Sequence, residues 1–192
     1  MKMKSTSRIA LVAVFAAIVI AQNLVPLIGG IDLGVFKITL IHVTVAVAAI
    51  VLGPKLGALI GGFWGVTSLI NAYVAPAGFA ALVFSNPLIA IVPRVLVGVV
   101  AGYLFLWLNK RLPATLSAGL AGLAGALTNT VLVLGGIYVL YNHGASIAYG
   151  VSVDQLAPFL LGVVVSNGFP EAIAAAILVP AIGLPMKRLL TK

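Results

Sequence analysis

Long apolar runs separated by short polar or Gly/Pro-rich breaks set the rhythm of this chain. The runs cover residues 9–25, 38–52, 56–70, 87–108, 114–141 and 156–182. Most approach or exceed the ~20 apolar residues that an α-helix needs to cross a bilayer. The 38–52 run is short for a full crossing, which predicts burial by its neighbours. Period-two alternation is absent, so a transmembrane barrel is excluded. The pattern predicts an all-α membrane protein, six transmembrane helices in one bundle, with residues 1–192 forming a single unit. The 9–25 run also has the length of a signal-peptide core, but no small-residue cleavage pattern precedes Pro26, and it is read as the first helix.

The breaks carry their own signals. Residues 26–37 are Gly-rich and suit a lid over a site. Gly53-Pro54-Lys55 is a tight turn, residues 71–86 read as a loop, and Asn109 to Pro113 is a short basic turn. Residues 142–155 read as a polar loop, and Gly183-Leu184-Pro185 as a helix stop. Gly53, Gly57, Gly61 and Gly65 recur every four residues, a stripe that lets another helix approach closely. The order GxxxxGK[ST] is missing, so no nucleotide site follows from these glycines. Ala10, Ala13, Ala17 and Ala21 form a comparable small-residue face on the first helix.

Composition narrows the class. The chain of 192 residues is 62% hydrophobic and 7% charged, with a mean hydropathy of +1.26. A soluble domain with that surface is excluded. The net charge of +8 does not indicate nucleic acid, because the basic residues sit at helix ends. Lys2, Lys4, Arg8, Lys55, Lys110, Arg111, Lys187, Arg188 and Lys192 fall on one face of a six-helix plan. Only Lys37 falls on the other. The positive-inside rule then predicts a plasma-membrane protein with both termini cytoplasmic. Cysteine is absent, which removes disulfides and thiolate chemistry.

Few polar groups lie at membrane depth. Arg94 is the most costly of them, since an arginine in hydrocarbon is unfavourable by ~2.5 kcal/mol or more. Pro93 before it lacks an N–H and frees the carbonyl four residues earlier. Asn167 and Glu171 share a face of the last helix, with Pro170 loosening the helix between them. Thr128, Asn129 and Thr130 sit mid-span, His42 lies one turn into the second run, and Gln22 and Asn23 end the first. One reading pairs Arg94 with Glu171 as a structural strut. The helical rise argues for a depth difference, with Glu171 about 12 Å deeper than Arg94, which leaves Arg94 to meet an entering carboxylate. His42 and His143 lack metal-ligand spacing. Three acids in all nominate no nucleophile with its base, so an enzyme is not expected.

Taken together, several stretches resemble the S components of energy-coupling factor (ECF) vitamin transporters. They are Lys37-Ile38-Thr39-Leu40-Ile41-His42-Val43, Leu52-Gly53-Pro54-Lys55-Leu56-Gly57-Ala58, Phe84-Ser85-Asn86-Pro87 and Pro93-Arg94-Val95-Leu96-Val97-Gly98. Leu127-Thr128-Asn129-Thr130-Val131-Leu132 and the Asn167/Glu171 pair complete them, so the resemblance spans essentially the whole chain. The combination is most similar to the pantothenate branch, although Thr44 stands where that branch often has proline.

The resemblance implies a subunit that captures a vitamin from outside and hydrolyses no ATP itself. It implies a substrate site in the outer half of the bundle, drawn from Lys37, His42, Asn71, Phe84, Asn86, Arg94, Asn129, Asn167 and Glu171. It implies docking through Ala10, Ala13, Ala17 and Ala21 on a transmembrane coupling protein that carries two cytosolic ATPase subunits. ATP and Mg would be used in those partners, with no cofactor in this chain. Alternatives are an S component for another vitamin such as folate, or a non-transport membrane protein in which Arg94 and Glu171 are structural.

Overall fold

The computed structural model describes residues 5–25, 29–32, 37–76 and 78–190. Most of the lid expected at residues 26–37 lies outside that set. Helix α1 is Ser5–Leu24, and a ribbon of two short antiparallel strands follows, β1 at Gly30–Asp32 and β2 at Lys37–Thr39. Next come α2 (Ile41–Leu52), α3 (Pro54–Val74), α4 (Gly78–Phe84), α5 (Pro87–Ala90) and α6 (Val92–Leu108). The chain ends with α7 (Ala114–Tyr149), α8 (Val153–Val163), a π-helical turn (Val164–Gly168) and α9 (Phe169–Leu190). Among the described residues, five helical stretches are long and apolar enough to cross a membrane, and α2 is a shorter apolar helix.

Helix α2 is the hub. Its 12 residues span only ~18 Å, well short of the ~30 Å hydrocarbon slab. All of them but Thr44 and Val51 are buried, as expected for a helix that is apolar all round. It touches α1, α3, α6, α7 and α9. The remaining depth is crossed by the ribbon, so β2 is carried down into the bundle. At the other end Gly53 turns the chain with φ 97°, a conformation that disfavours side chains, and Pro54 starts α3.

Glycine sets the distance between helices. The stripe expected on α3 is buried at Gly57, Gly61 and Gly65. A Cβ at Gly61 would strike the Arg94 carbonyl, and one at Gly65 would strike the Ile91 backbone. Gly98 on α6 lies against the Gly57 backbone, while Gly57 itself faces Ala49 of α2. Gly119 and Gly122 let α7 settle on Ala175, Ala176 and Val179 of α9 in the same way. Bundle helices in lipid gain little from hydrophobicity alone, so this close approach supplies the packing.

Several boundaries differ from the sequence expectation. The segment after Asn142 is not a loop. Helix α7 continues to Tyr149, with only Tyr141 leaving helical dihedrals (φ −134°, ψ 25°), and Gly150 ends it in the left-handed region. Ala145 joins Val83, Ile89, Ile137, Leu156 and Leu160 in a second apolar cluster, which holds the extension in place. Nor does Gly183-Leu184-Pro185 stop the last helix. α9 runs on to Leu190, because Gly183 and Leu184 are buried against the bundle. Residues 71–86 are largely helical, as the end of α3 and all of α4. The helix expected over 87–108 breaks at Ile91 into α5 and α6. The loosening expected at Pro170 takes the form of the π-turn, where Phe169 N–H reaches back to Val164 O. Pro170 cannot continue the ordinary ladder, and the register shifts just ahead of it.

A methyl group at Gly98 meets only backbone, at the Gly57 carbonyl and the Ala58 nitrogen. Gly98→Ala is expected to destabilise by about 1–3 kcal/mol through overpacking. That outweighs the ~1 kcal/mol by which alanine exceeds glycine in a helix. Gly135 has open space around it, so Gly135→Ala is expected to be neutral or stabilising. Thermal unfolding of both variants in one detergent checks the contrast.

Candidate functional site

A cavity of about 330 Å³ lies between the end of α1, the β2–α2 junction, α3, α4 and α6. Its wall includes Gln22 and Asn23 from α1, Thr39 and Ile41 at the junction, and Trp64, Ser68 and Asn71 from α3. Phe84 comes from α4 and Arg94 from α6, while Ala72, Ala75, Ala80 and Ala81 leave room. The size falls in the range of small-molecule sites.

Arg94 is the centre of this wall and only 4% exposed. Pro93 has no N–H for the carbonyl of Ile89, four residues back, and the Arg94 guanidinium takes that carbonyl through Nη1. The acceptor that the sequence suggested would be free is therefore used by the adjacent arginine. Two rings flank the same guanidinium, Trp64 at 5.0 Å and Phe84 at 4.6 Å from ring centroid to Cζ. Both contacts are attractive cation–π geometry. Arg94 Nε is buried and bonds to nothing. No ion pair joins Arg94 to Glu171 among the described residues. The cation is thus oriented by aromatic faces and one neutral carbonyl, with no carboxylate paired to it among the described residues.

Glu171 does something else. Its Oε1 accepts the backbone N–H of Thr39, so α9 grips the ribbon just where the chain enters α2. Thr39 in turn lines the cavity alongside Arg94. The last helix begins at Val153, three residues before the start assumed in the depth count.

The other expected site residues divide into two groups. Asn71 and Phe84 line the cavity with Arg94. His42, Asn86, Asn129, Asn167 and Glu171 are not part of its wall. Asn86 caps α5, its Oδ1 accepting from Leu88 N at 3.0 Å. His42 is 1% exposed and neither ring nitrogen makes a hydrogen bond, although the backbones of Thr39 and Glu171 face it. Asn129 on α7 and Asn167 in the π-turn each bury an amide oxygen without a partner, close to where Thr130 packs on Gly168. Lys37 opens β2, and its side chain is outside the described set. Trp64, Ser68 and Thr39 were not singled out from sequence. The signal was present for two of them: Trp64 and Ser68 continue the face of Gly57, Gly61 and Gly65 by steps of three and four.

Such a cavity suits a small organic anion with further polar groups: a guanidinium for the charge, aromatic faces beside it, and amides and hydroxyls across the remaining wall. Known proteins point the same way. A curated protein named pantothenate transporter PanT, from Leuconostoc mesenteroides, is 39% identical over 95% of this chain and 93% of its own length. A second, named pantothenic acid transporter PanT, from Lactococcus lactis, is 34% identical over 95% of this chain and 94% of its own. Residues 7–183 match the family described as ECF transporter, substrate-specific component. With apolar helices of spanning length throughout and a family match over nearly its whole extent, this chain belongs to the substrate-specific (S) components of ECF transporters.

Proposed function

We propose that this chain captures pantothenate and delivers it into the cell as part of an ECF importer. The observation that carries the reading is the Arg94 guanidinium in the cavity wall, clasped by Trp64 and Phe84 and paired with no carboxylate among the described residues. Pantothenate offers one carboxylate, together with an amide and two hydroxyls. The carboxylate would take the guanidinium's remaining donors as a charge-assisted pair. The two relatives named for pantothenate transport support the choice of vitamin.

Counting α2 as a crossing gives six, and the basic residues at Lys55, Lys110, Arg111, Lys187 and Arg188 favour both termini in the cytoplasm. The cavity, beside the first two outer connections, then opens outward. Transport would draw its energy from elsewhere: a transmembrane coupling protein with two cytosolic ATPase subunits that use ATP and Mg. Ala10, Ala13, Ala17 and Ala21 are all exposed on α1, while Phe15, Ala16 and Val19 face the bundle. That small-residue face is the docking surface in this reading.

Two outcomes test it. Arg94→Ala is expected to weaken pantothenate binding to the purified chain by roughly 30-fold or more, the scale for truncating one side of a buried pair. Arg94→Lys is expected to recover part, since an ammonium cannot reproduce the planar fork. Calorimetry with pantothenate reads both, and an unchanged affinity in Arg94→Ala removes the carboxylate assignment. For docking, Ala13→Trp combined with Ala17→Trp is expected to block assembly with the coupling protein and leave pantothenate binding near normal. Co-purification alongside a binding assay checks this, and full assembly by the double variant rejects that face.

A further inference from the structure

Helix α1 ends with two side-chain amides in a row, and each is held by its oxygen. Thr44 Oγ1 on α2 donates to Gln22 Oε1 at 2.9 Å. Ser68 Oγ on α3 donates to Asn23 Oδ1 at 3.1 Å. An amide whose oxygen is engaged has its NH2 group left to offer. Asn23 Nδ2 is buried and finds no acceptor among the described residues. Among the described residues, no group accepts from Gln22 Nε2. A buried donor without an acceptor is unfavourable and calls for an explanation. Both amides belong to the cavity wall that contains Arg94. Thr44 does not, so it can influence a ligand only through Gln22.

We propose that Gln22 and Asn23 form a paired donor that reads the hydroxyl oxygens on the half of the substrate remote from its carboxylate. Thr44 and Ser68 are the positioning residues that hold each amide by its oxygen and leave its NH2 group to offer. The proposal rests on the pantothenate reading and adds the recognition of the other end of that molecule. Its physical basis is the near-symmetry of a carboxamide. Oxygen and nitrogen exchange places by a half-turn of the terminal torsion, and only an outside partner fixes which is presented. Remove the Thr44 hydroxyl and Gln22 is free to turn its oxygen inward, toward a ligand oxygen that it repels. In this chain the amide at Gln22 is then set by a hydroxyl outside the cavity wall.

The test is equilibrium binding to the full chain in detergent, with pantothenate and with its analogue in which both hydroxyls are replaced by hydrogen. Thr44→Val keeps the shape and removes the hydroxyl. It is expected to weaken pantothenate binding by about 3- to 10-fold, the scale of one neutral hydrogen bond. The dideoxy analogue should bind Thr44→Val and the unaltered chain alike. Thr44→Ser restores the donor and should bring pantothenate back to near the original affinity. Gln22→Leu, similar in volume, uncharged and without the donors, provides an independent arm, and a loss confined to pantothenate is expected there. Equal losses for both ligands, in either arm, would mean a purely structural role and overturn the proposal. So would pantothenate binding that is intact and indifferent to both substitutions. If the unaltered chain binds no pantothenate, the substrate reading itself fails, and the donor pair as stated fails with it.

Discussion

A guanidinium inside hydrocarbon is the constraint around which this bundle is arranged. Charge in a medium of low polarisability is tolerated only where fixed dipoles, aromatic faces or a ligand surround it. Each of these conditions traces to a particular residue. Pro93 releases the Ile89 carbonyl, and Arg94 turns back to use it. Gly61 lets α3 lie against the backbone of Arg94, and that closeness brings Trp64 over the cation, with Phe84 from α4 beside it. Widening the gap between α3 and α6 would remove one aromatic face and expose the charge to lipid. Packing and electrostatics are one problem here, solved by small residues first and ring faces second.

A second polar layer stands behind the wall. Glu171 holds Thr39, and Thr39 is a wall residue, so α9 shapes the cavity through backbone without supplying a side chain to it. His42 sits at the same junction, and Asn129 and Asn167 lie near the π-turn. The Glu171–Thr39 bond is the seam that ties the entry of α2 to the last helix. The seam explains why a 12-residue helix can begin mid-bundle: the chain that leads into it is anchored by a hydrogen bond from a neighbouring helix.

Much of the site was legible in the sequence, and the remainder was hidden for physical reasons. Arg94 announced itself by its expense, and the glycine stripe by its period. Asn71 and Phe84 were found through the breaks flanking the site. His42, Asn129, Asn167 and Glu171 were visible as polar residues at depth, but depth does not say which side of a helix faces a hollow. Asn86 looked like a ligand and is a cap, a role that the Pro following it favours. Helix ends were misjudged where burial outweighs local punctuation: Pro185 stays inside α9 because the residues before it are packed. The polar stretch after Asn142 stays helical because apolar contacts on one face hold it.

The final rod, from Val153 to Leu190, runs for 38 residues, about 57 Å at helical rise. The hydrocarbon slab is ~30 Å thick. Such a rod either leans steeply or stands proud of the lipid, and its first turns are packed with α4, α5 and α7 in the second cluster. Because Glu171 on this rod also holds Thr39 in the cavity wall, a change of lean would reach that wall through a single hydrogen bond, and membranes of different thickness would load it differently.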